Sequence, residues 1–320
     1  MKDKFENIDL NQYSGFINAV IAAALGLAVV YTQMNLFFAA GIFLLFPYIT
    51  LWVAEGWQWC LLSFVLTVGG GFYLFGLPII ISTMPIIIIA APIIAILISR
   101  ESNYFREIFI PAMAVSALLI GLIMLEAHFA NIDIQKTISV AMEEYVRSSI
   151  KEFSGRFSQS ELVLAELSIK AMLNKMIKLL PSMIFIYSWV FVWVSGLISR
   201  FVLNRTGNDI KVKSISEFKI SKEFAMALLV GIITYLGIEL LTEITIDSVY
   251  TNFFVIFCSI FAFNGLAALR VVLRRKIPIL IQFGIIFLLI YLNLFLDAVI
   301  IFGIIDSISG FREKITGEKA

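Results

Sequence analysis

The sequence predicts an all-α polytopic transmembrane bundle of about nine spans, interrupted by an amphipathic helical hairpin. Three observations carry that prediction. Hydrophobic residues make up 60% of the 320 positions and charged residues 15%, and the mean hydropathy is +0.96. One water-soluble core of this length cannot hide so much apolar surface. Residues 10–54 and 56–99 contain no charged side chain, so each block holds more than one crossing. Between residues 131 and 180 the pattern changes to charges interleaved with apolar residues at helical spacing.

Each span follows from dividing the apolar blocks by the ~20 residues needed to cross ~30 Å of hydrocarbon. The tetrad Thr32-Gln33-Met34-Asn35 divides the first block into spans over 14–32 and 36–54. Gly76-Leu77-Pro78 divides the second block into a third and a fourth span. Pro85 and Pro92 fall inside the fourth and predict a kinked helix whose neighbours absorb the lost hydrogen bonds. Further spans are predicted over 105–130, 181–201, 224–241, 249–269 and 277–300. The amino-terminal MKDKFENIDL mixes acids with lysines. The run after it is too long for a signal h-region, so the first span is expected to be retained.

Charge asymmetry orients the spans. Arg270, Arg274, Arg275 and Lys276 form a basic connection without an acid, which belongs on the cytoplasmic side. The connection containing Glu243 and Asp247 then lies outside, and 200–222 lies inside with Arg100 and Arg106. A ninth span leaves the carboxyl end outside, whereas Arg312 and Lys314 favour the inside. A broken or re-entrant last segment reconciles the two.

The chain thus divides into membrane helices over 1–130, an insert over 131–180, and membrane helices over 181–320. In the insert Ile138, Met142, Tyr145 and Phe153 follow helical spacing, and so do Leu162, Ala165, Ile169, Leu173 and Met176. Ser154-Gly155 separates the two runs, and Ser160 with Glu161 marks a helix start. The pair is expected to pack on the bundle or to lie at the lipid surface.

Polar side chains within spans are costly, so each is a candidate site residue. Glu239, Asn252, Asn293 and Asp297 gather toward the outer half of the predicted bundle. Asn293 and Asp297 share a helix face. They are the expected ligand contacts in a pocket open to the exterior. Interfacial helix ends and interhelical hydrogen bonds are the plainer reading of the same residues. Asn264 and Arg270, at the inner end of their span, read as interhelical glue or anchors. Ala19, Ala23 and Ala28 sit at helix-contact spacing in the first span.

Several function classes find no support. A net charge of +1 offers no field for nucleic acid. The single histidine, His128, has no partner for a metal site, and no nucleophile-elbow, zinc-protease or phosphate-loop pattern occurs. Cys60 and Cys258 lie in apolar runs and read as small hydrophobes. No catalytic residue, metal or cofactor is expected, and the chain is not expected to be an enzyme.

The carboxyl-terminal third carries a more specific signal. Gly303-Ile304-Ile305-Asp306 followed by Phe311-Arg312 resembles the closing signature of the YybS-like bacterial membrane proteins, a family of unknown function. Asn252 and Phe263-Asn264-Gly265-Leu266 are similar to that family's Asn…Gln-Gly-Leu pattern, with Asn264 in place of Gln. Phe218-Lys219-Ile220-Ser221 departs from it, since the family more often has a Trp and a Pro there. The family is thought to be distantly related to the S components of energy-coupling factor transporters. That resemblance implies a multi-pass protein of the bacterial plasma membrane that captures a small solute. It also implies docking of a separate ATPase and transmembrane coupling module onto the alanine face of Ala19, Ala23 and Ala28. Gly303, Asp306, Phe311 and Arg312 are expected to be structural, with Arg312 paired to Asp306 or to helix carboxyl ends. The competing expectation is a non-transporting scaffold that recruits partners through 131–180.

Overall fold

In a computed structural model of the chain, residues 3–35, 38–153, 158–242, 247–274 and 293–316 are described, and every regular element among them is helical. The order is α1 (Asp3–Asn35), a 3-10 helix (Phe38–Phe43), α2 (Phe46–Glu55), α3 (Trp57–Phe75), α4 (Leu77–Ser99) and α5 (Tyr104–Phe129). The hairpin follows as α6 (Ile134–Phe153) and α7 (Gln159–Lys178). Next come α8 (Leu180–Arg205), α9 (Lys222–Thr242), α10 (Asp247–Arg274), α11 (Asn293–Ser309) and the short α12 (Phe311–Thr316).

Among the described residues, five helical stretches are long and apolar enough to cross a bilayer: Ser14–Met34, Trp57–Phe75, Tyr104–Phe129, Leu180–Arg205 and Ser248–Leu273. Large apolar side chains such as Phe16, Ile17, Leu61, Val65, Tyr73 and Phe201 point outward on them. Lipid rather than water is the solvent that such a surface requires. The core lies between α1, α2, α4, α5, α8 and α10, around Tyr48, Ile87, Ile94, Ile108, Val192 and Phe261. α4 continues through Pro85 and Pro92.

The predicted second span is corrected. Instead of one helix over 36–54, the chain forms the 3-10 helix and then α2, which has 10 residues and reaches only ~15 Å. Pro47 in the first turn of α2 supplies no N–H and starts a new helix instead of continuing an old one. A neighbouring helix satisfies the broken backbone: Ser195 Oγ on α8 donates to the Ile42 carbonyl at 2.9 Å. Irregular backbone within a membrane protein needs such a partner.

Most of the predicted ninth span, 277–300, lies outside the described residues, which resume at Asn293 with α11, a helix that runs on to Ser309. α11 crosses α10 with the backbones almost touching. A Cβ on Gly303 would lie 2.0 Å from the Phe261 carbonyl oxygen, and one on Gly265 would lie 2.0 Å from the Val299 carbonyl oxygen. Only glycine allows that approach.

The hairpin is two helices, as its periodicity predicts. The N-cap of α7 lies two residues before Ser160: it is Ser158, and Glu161 closes a capping box with it. Val146 is buried, whereas Val140, Tyr145, Val163, Leu164, Leu167 and Met172 are exposed.

Candidate functional site

Four polar features are built on this frame, and the connection between α8 and α9 links two of them. Residues 206–221 leave the end of α8, form a single 3-10 turn over Ile215–Glu217, and turn inward. Phe218 and Ile220 are fully buried. The Phe218 ring lies 4.7 Å from Phe263, 5.7 Å from Phe105 and 5.8 Å from Trp189, all edge-on. The segment is therefore a strap wedged into the bundle by its aromatic side chain.

The first cluster closes over one side of that strap. α11 ends at Ser309, and Gly310, at φ +61°, turns the chain back so that α12 begins at Phe311. That reversal brings Arg312 onto Asp306. Arg312 Nε and Nη2 donate to Asp306 Oδ2 at 2.9 and 2.6 Å, and the Arg312 backbone N–H donates to Oδ1 at 3.1 Å. Nη1 donates to the carbonyls of Phe218 at 2.6 Å and Ser216 at 3.1 Å. Asn264 completes the network, accepting from Arg312 Nη2 at 2.8 Å and donating to Ser307 Oγ and the Gly303 carbonyl at 2.9 Å each. The Asp306 side chain is 1% exposed and Arg312 7%, so the pair holds only because each member's remaining polar atoms are also matched.

The second cluster fixes the strap's other portion. Glu107 Oε1, in the first turn of α5, accepts from Arg200 Nη2 at 2.7 Å and from Lys213 Nζ at 2.6 Å. Arg200 Nη1 also donates to the Lys211 carbonyl at 2.8 Å. Lys213 donates to the Ser102 carbonyl as well. One buried acid thus gathers a residue of α8 and a residue of the strap onto α5.

The third feature is Asn252, near the start of α10. Its Oδ1 accepts from the Ser182 backbone N–H at 2.9 Å, while its Nδ2 donates to the Lys178 carbonyl at 2.6 Å and the Ser248 carbonyl at 2.7 Å. This is the junction of α7 and α8, where Pro181 supplies no N–H.

The fourth is an open cleft of about 440 Å³ between α1, α2 and the end of α8. Its wall is apolar, with Ile21, Leu25, Phe46, Leu51, Val202 and Leu203. Polar groups enter from Asn18, Thr50, Glu55, Thr206 and Asn208. Asn18 Nδ2 donates to Glu55 Oε1 at 2.7 Å, and Ser14 Oγ donates to the same oxygen at 3.3 Å.

Of the residues expected to contact solute, the structure describes the side chains of Asn252 and Asp297. Asn252 is buried and its carboxamide is taken up by backbone groups. Asp297 is exposed on α11. Glu239 belongs to α9 and Asn293 opens α11, but the side chains of both lie outside the described part. Of the alanine set, Ala19 and Ala23 are buried within the bundle and Ala28 is exposed. The carboxyl-terminal motif residues are gathered instead: Gly303, Asp306 and Arg312 meet Asn264 and Gly265 at one crossing, while Phe311 stacks edge-on against Phe302 at 5.4 Å. Glu107, Lys213 and Glu55 were not among the residues expected to matter. Glu107 gave a signal, as an acid one turn inside an apolar run, and Glu55 another, as the charge that separates two charge-free blocks.

Fold and surface define a multi-pass helical membrane protein. Within that class the chain belongs to the family described as "Predicted membrane protein (DUF2232)", whose family model matches residues 20–307. The match takes in Asn252, Asn264, Gly303 and Asp306 and stops short of Arg312. No curated protein and no solved structure matches the chain.

Proposed function

We propose that this protein is a small-solute-binding component of membrane uptake in the bacterial plasma membrane. In this reading it is YybS-like, is similar to an energy-coupling factor S component, and acts without an ATPase of its own. The observation that carries the reading is the cleft of about 440 Å³ between α1, α2 and α8; because Val202, Thr206 and Asn208 belong to the segment that charge asymmetry sets inside, it opens at the cytoplasmic end and is not the exterior pocket expected from sequence. Its size suits a small molecule, and its few polar groups on an apolar wall suit orientation of one. ATP would be used by a separate coupling module, since the reading assigns no chemistry to this chain. Purification of the full chain from bacterial membranes, with mass spectrometry of retained small molecules and co-purifying proteins, tests it. A stoichiometric solute together with an ATPase supports uptake, and an empty cleft with no ATPase overturns it. Glu239→Gln and Asp297→Asn, assayed for loss of solute-induced thermal protection, test the site expected from sequence in parallel.

A second reading, a scaffold that recruits partners through 131–180, is favoured by the apolar side chains that α6 and α7 leave exposed, Leu164 and Leu167 among them. Deleting the hairpin separates the two: a scaffold loses its partners, whereas solute binding in the cleft persists.

A further inference from the structure

We infer that the cleft between α1, α2 and α8 takes a small organic ammonium, a molecule with one positively charged amine and an apolar body, and that Glu55 is its counter-charge. The inference rests on the solute-binding reading and names the class of solute.

The geometry of Glu55 is the starting point. It is the last residue of α2 and lines the cleft, where its Oε1 is held by Asn18 and Ser14, four residues apart on one face of α1. Those neutral donors fix the carboxylate without neutralising it. Glu55 is partly exposed, whereas Glu107 and Asp306, the buried acids among the described residues, are each paired with an arginine. Among the described residues no Lys or Arg pairs with Glu55, and nothing donates to its Oε2. A carboxylate oriented in this way at an apolar wall attracts a cation and repels an anion.

The rest of the cleft selects among cations. No group of three metal-ligating side chains occurs among the described residues, so the cleft lacks the ligand set that a bare divalent ion needs. Ile21, Leu25, Leu51 and Leu203 line the wall beyond Glu55, and an alkyl or aryl body would displace water from that surface. A volume of about 440 Å³ suits a drug-sized molecule rather than a whole two-chain phospholipid. The occupant is therefore a small solute, with its amine on Glu55 and its body along α1 and α8.

The test uses the full chain in phosphatidylcholine nanodiscs, with hexylammonium chloride as probe and 1-hexanol as its neutral counterpart. Hexylammonium should raise the thermal midpoint saturably, and 1-hexanol at equal concentration should not. Glu55→Gln keeps an acceptor for Asn18 and should leave the ligand-free midpoint unchanged while weakening hexylammonium ~10-fold or more, the range of one lost charge-assisted bond. Ala54→Phe, which fills the cleft from α2, should abolish the response. Native mass spectrometry of the bound amine supplies a second readout confined to folded protein. Equal stabilisation by 1-hexanol, or an unaltered response in Glu55→Gln, would overturn the ammonium inference while leaving solute binding standing. Phospholipid retained by the wild type and lost from Ala54→Phe would overturn it in favour of a lipid occupant. The absence of any response to either probe, with an anionic or uncharged solute co-purifying, would also overturn it.

Discussion

Asn252 bridges Ser182 and its helical predecessor Lys178: the carboxamide accepts from the Ser182 N–H at 2.9 Å and donates to the Lys178 carbonyl at 2.6 Å. A side chain from α10 thus stands in for one backbone hydrogen bond where Pro181 joins the hairpin to α8. Asn252→Leu strands both groups and should cost about 1–3 kcal/mol. Asn252→Asp keeps the acceptor but sets a carboxylate against the Lys178 carbonyl, and should be no better tolerated. Thermal unfolding in detergent measures the loss, and faster amide exchange at Ser182 would locate it.

Arg312 and Asp306 form a buried ion pair whose arginine also serves the strap. Arg312→Ala leaves Asp306 uncompensated and should destabilise by about 3–5 kcal/mol. Asp306→Leu combined with Arg312→Met should be less damaging than Arg312→Ala alone, because no lone charge remains. Recovery will be partial, since the carbonyls of Ser216 and Phe218 lose their donor. A double variant as unstable as the sum of its parts would refute the pairing as the source of the cost.

Removing the acid from the second cluster should loosen the strap at its other portion. Glu107→Gln preserves shape but leaves Arg200 and Lys213 without their shared counter-charge. The expected cost is about 3 kcal/mol or more. Limited proteolysis between residues 206 and 213 is the direct readout, and wild-type resistance in that segment would contradict the role assigned to Glu107.

Gly265→Ala and Gly303→Ala should each force α10 and α11 apart, since the added Cβ would lie 2.0 Å from a carbonyl oxygen. Overpacking of this kind costs about 1–3 kcal/mol. Gly69→Ala, where a Cβ meets nothing within 4 Å, is the control and should leave the midpoint unchanged.

Two carboxylates outside the spans make local stability depend on pH. At Glu161 the hydroxyl and backbone N–H of Ser158 hold the carboxyl below its ordinary 4.5. At Glu217 burial acts upward, but hydrogen bonds from Lys211 and the Ser214 backbone outweigh it, so that carboxyl also lies below 4.5. A depressed folded-state pKa stabilises fully above the unfolded value and less as pH falls through the folded one. Amide protection in the first turn of α7 and in the strap should therefore be constant above about pH 4.5 and decline below it. Glu161→Gln should remove that dependence at α7, and an unchanged profile would show that the capping box is not its source.

Sequence reading recovers this fold where the physics is local. Charge-free runs located most of the spans, and alternating polar and apolar residues located α6 and α7. The 3-10 break before α2 was hidden because residues 38–54 carry no charge, and hydropathy does not register which carbonyls a distant serine will satisfy. The same limit explains the sites. Glu107 and Arg200 are separated by 93 residues, so no window along the chain sees them as a pair. Asn264 was legible as interhelical glue and Arg312 as a partner for Asp306, but their convergence with Gly303 on Phe218 needed the fold. Alanine spacing in α1 revealed a contact face but not its partner, and Ala19 and Ala23 turn that face toward their own bundle.

The hydroxyl of Ser195 on the Ile42 carbonyl also sets an order of events during synthesis. The acceptor emerges from the ribosome 153 residues before its donor. Until α8 has been made and inserted, the turn before α2 holds a carbonyl that the finished protein hides from lipid. The amino-terminal helices must therefore wait beside the translocon, or near water, in an incompletely closed arrangement. The arrival of α8 is the step that lets them settle.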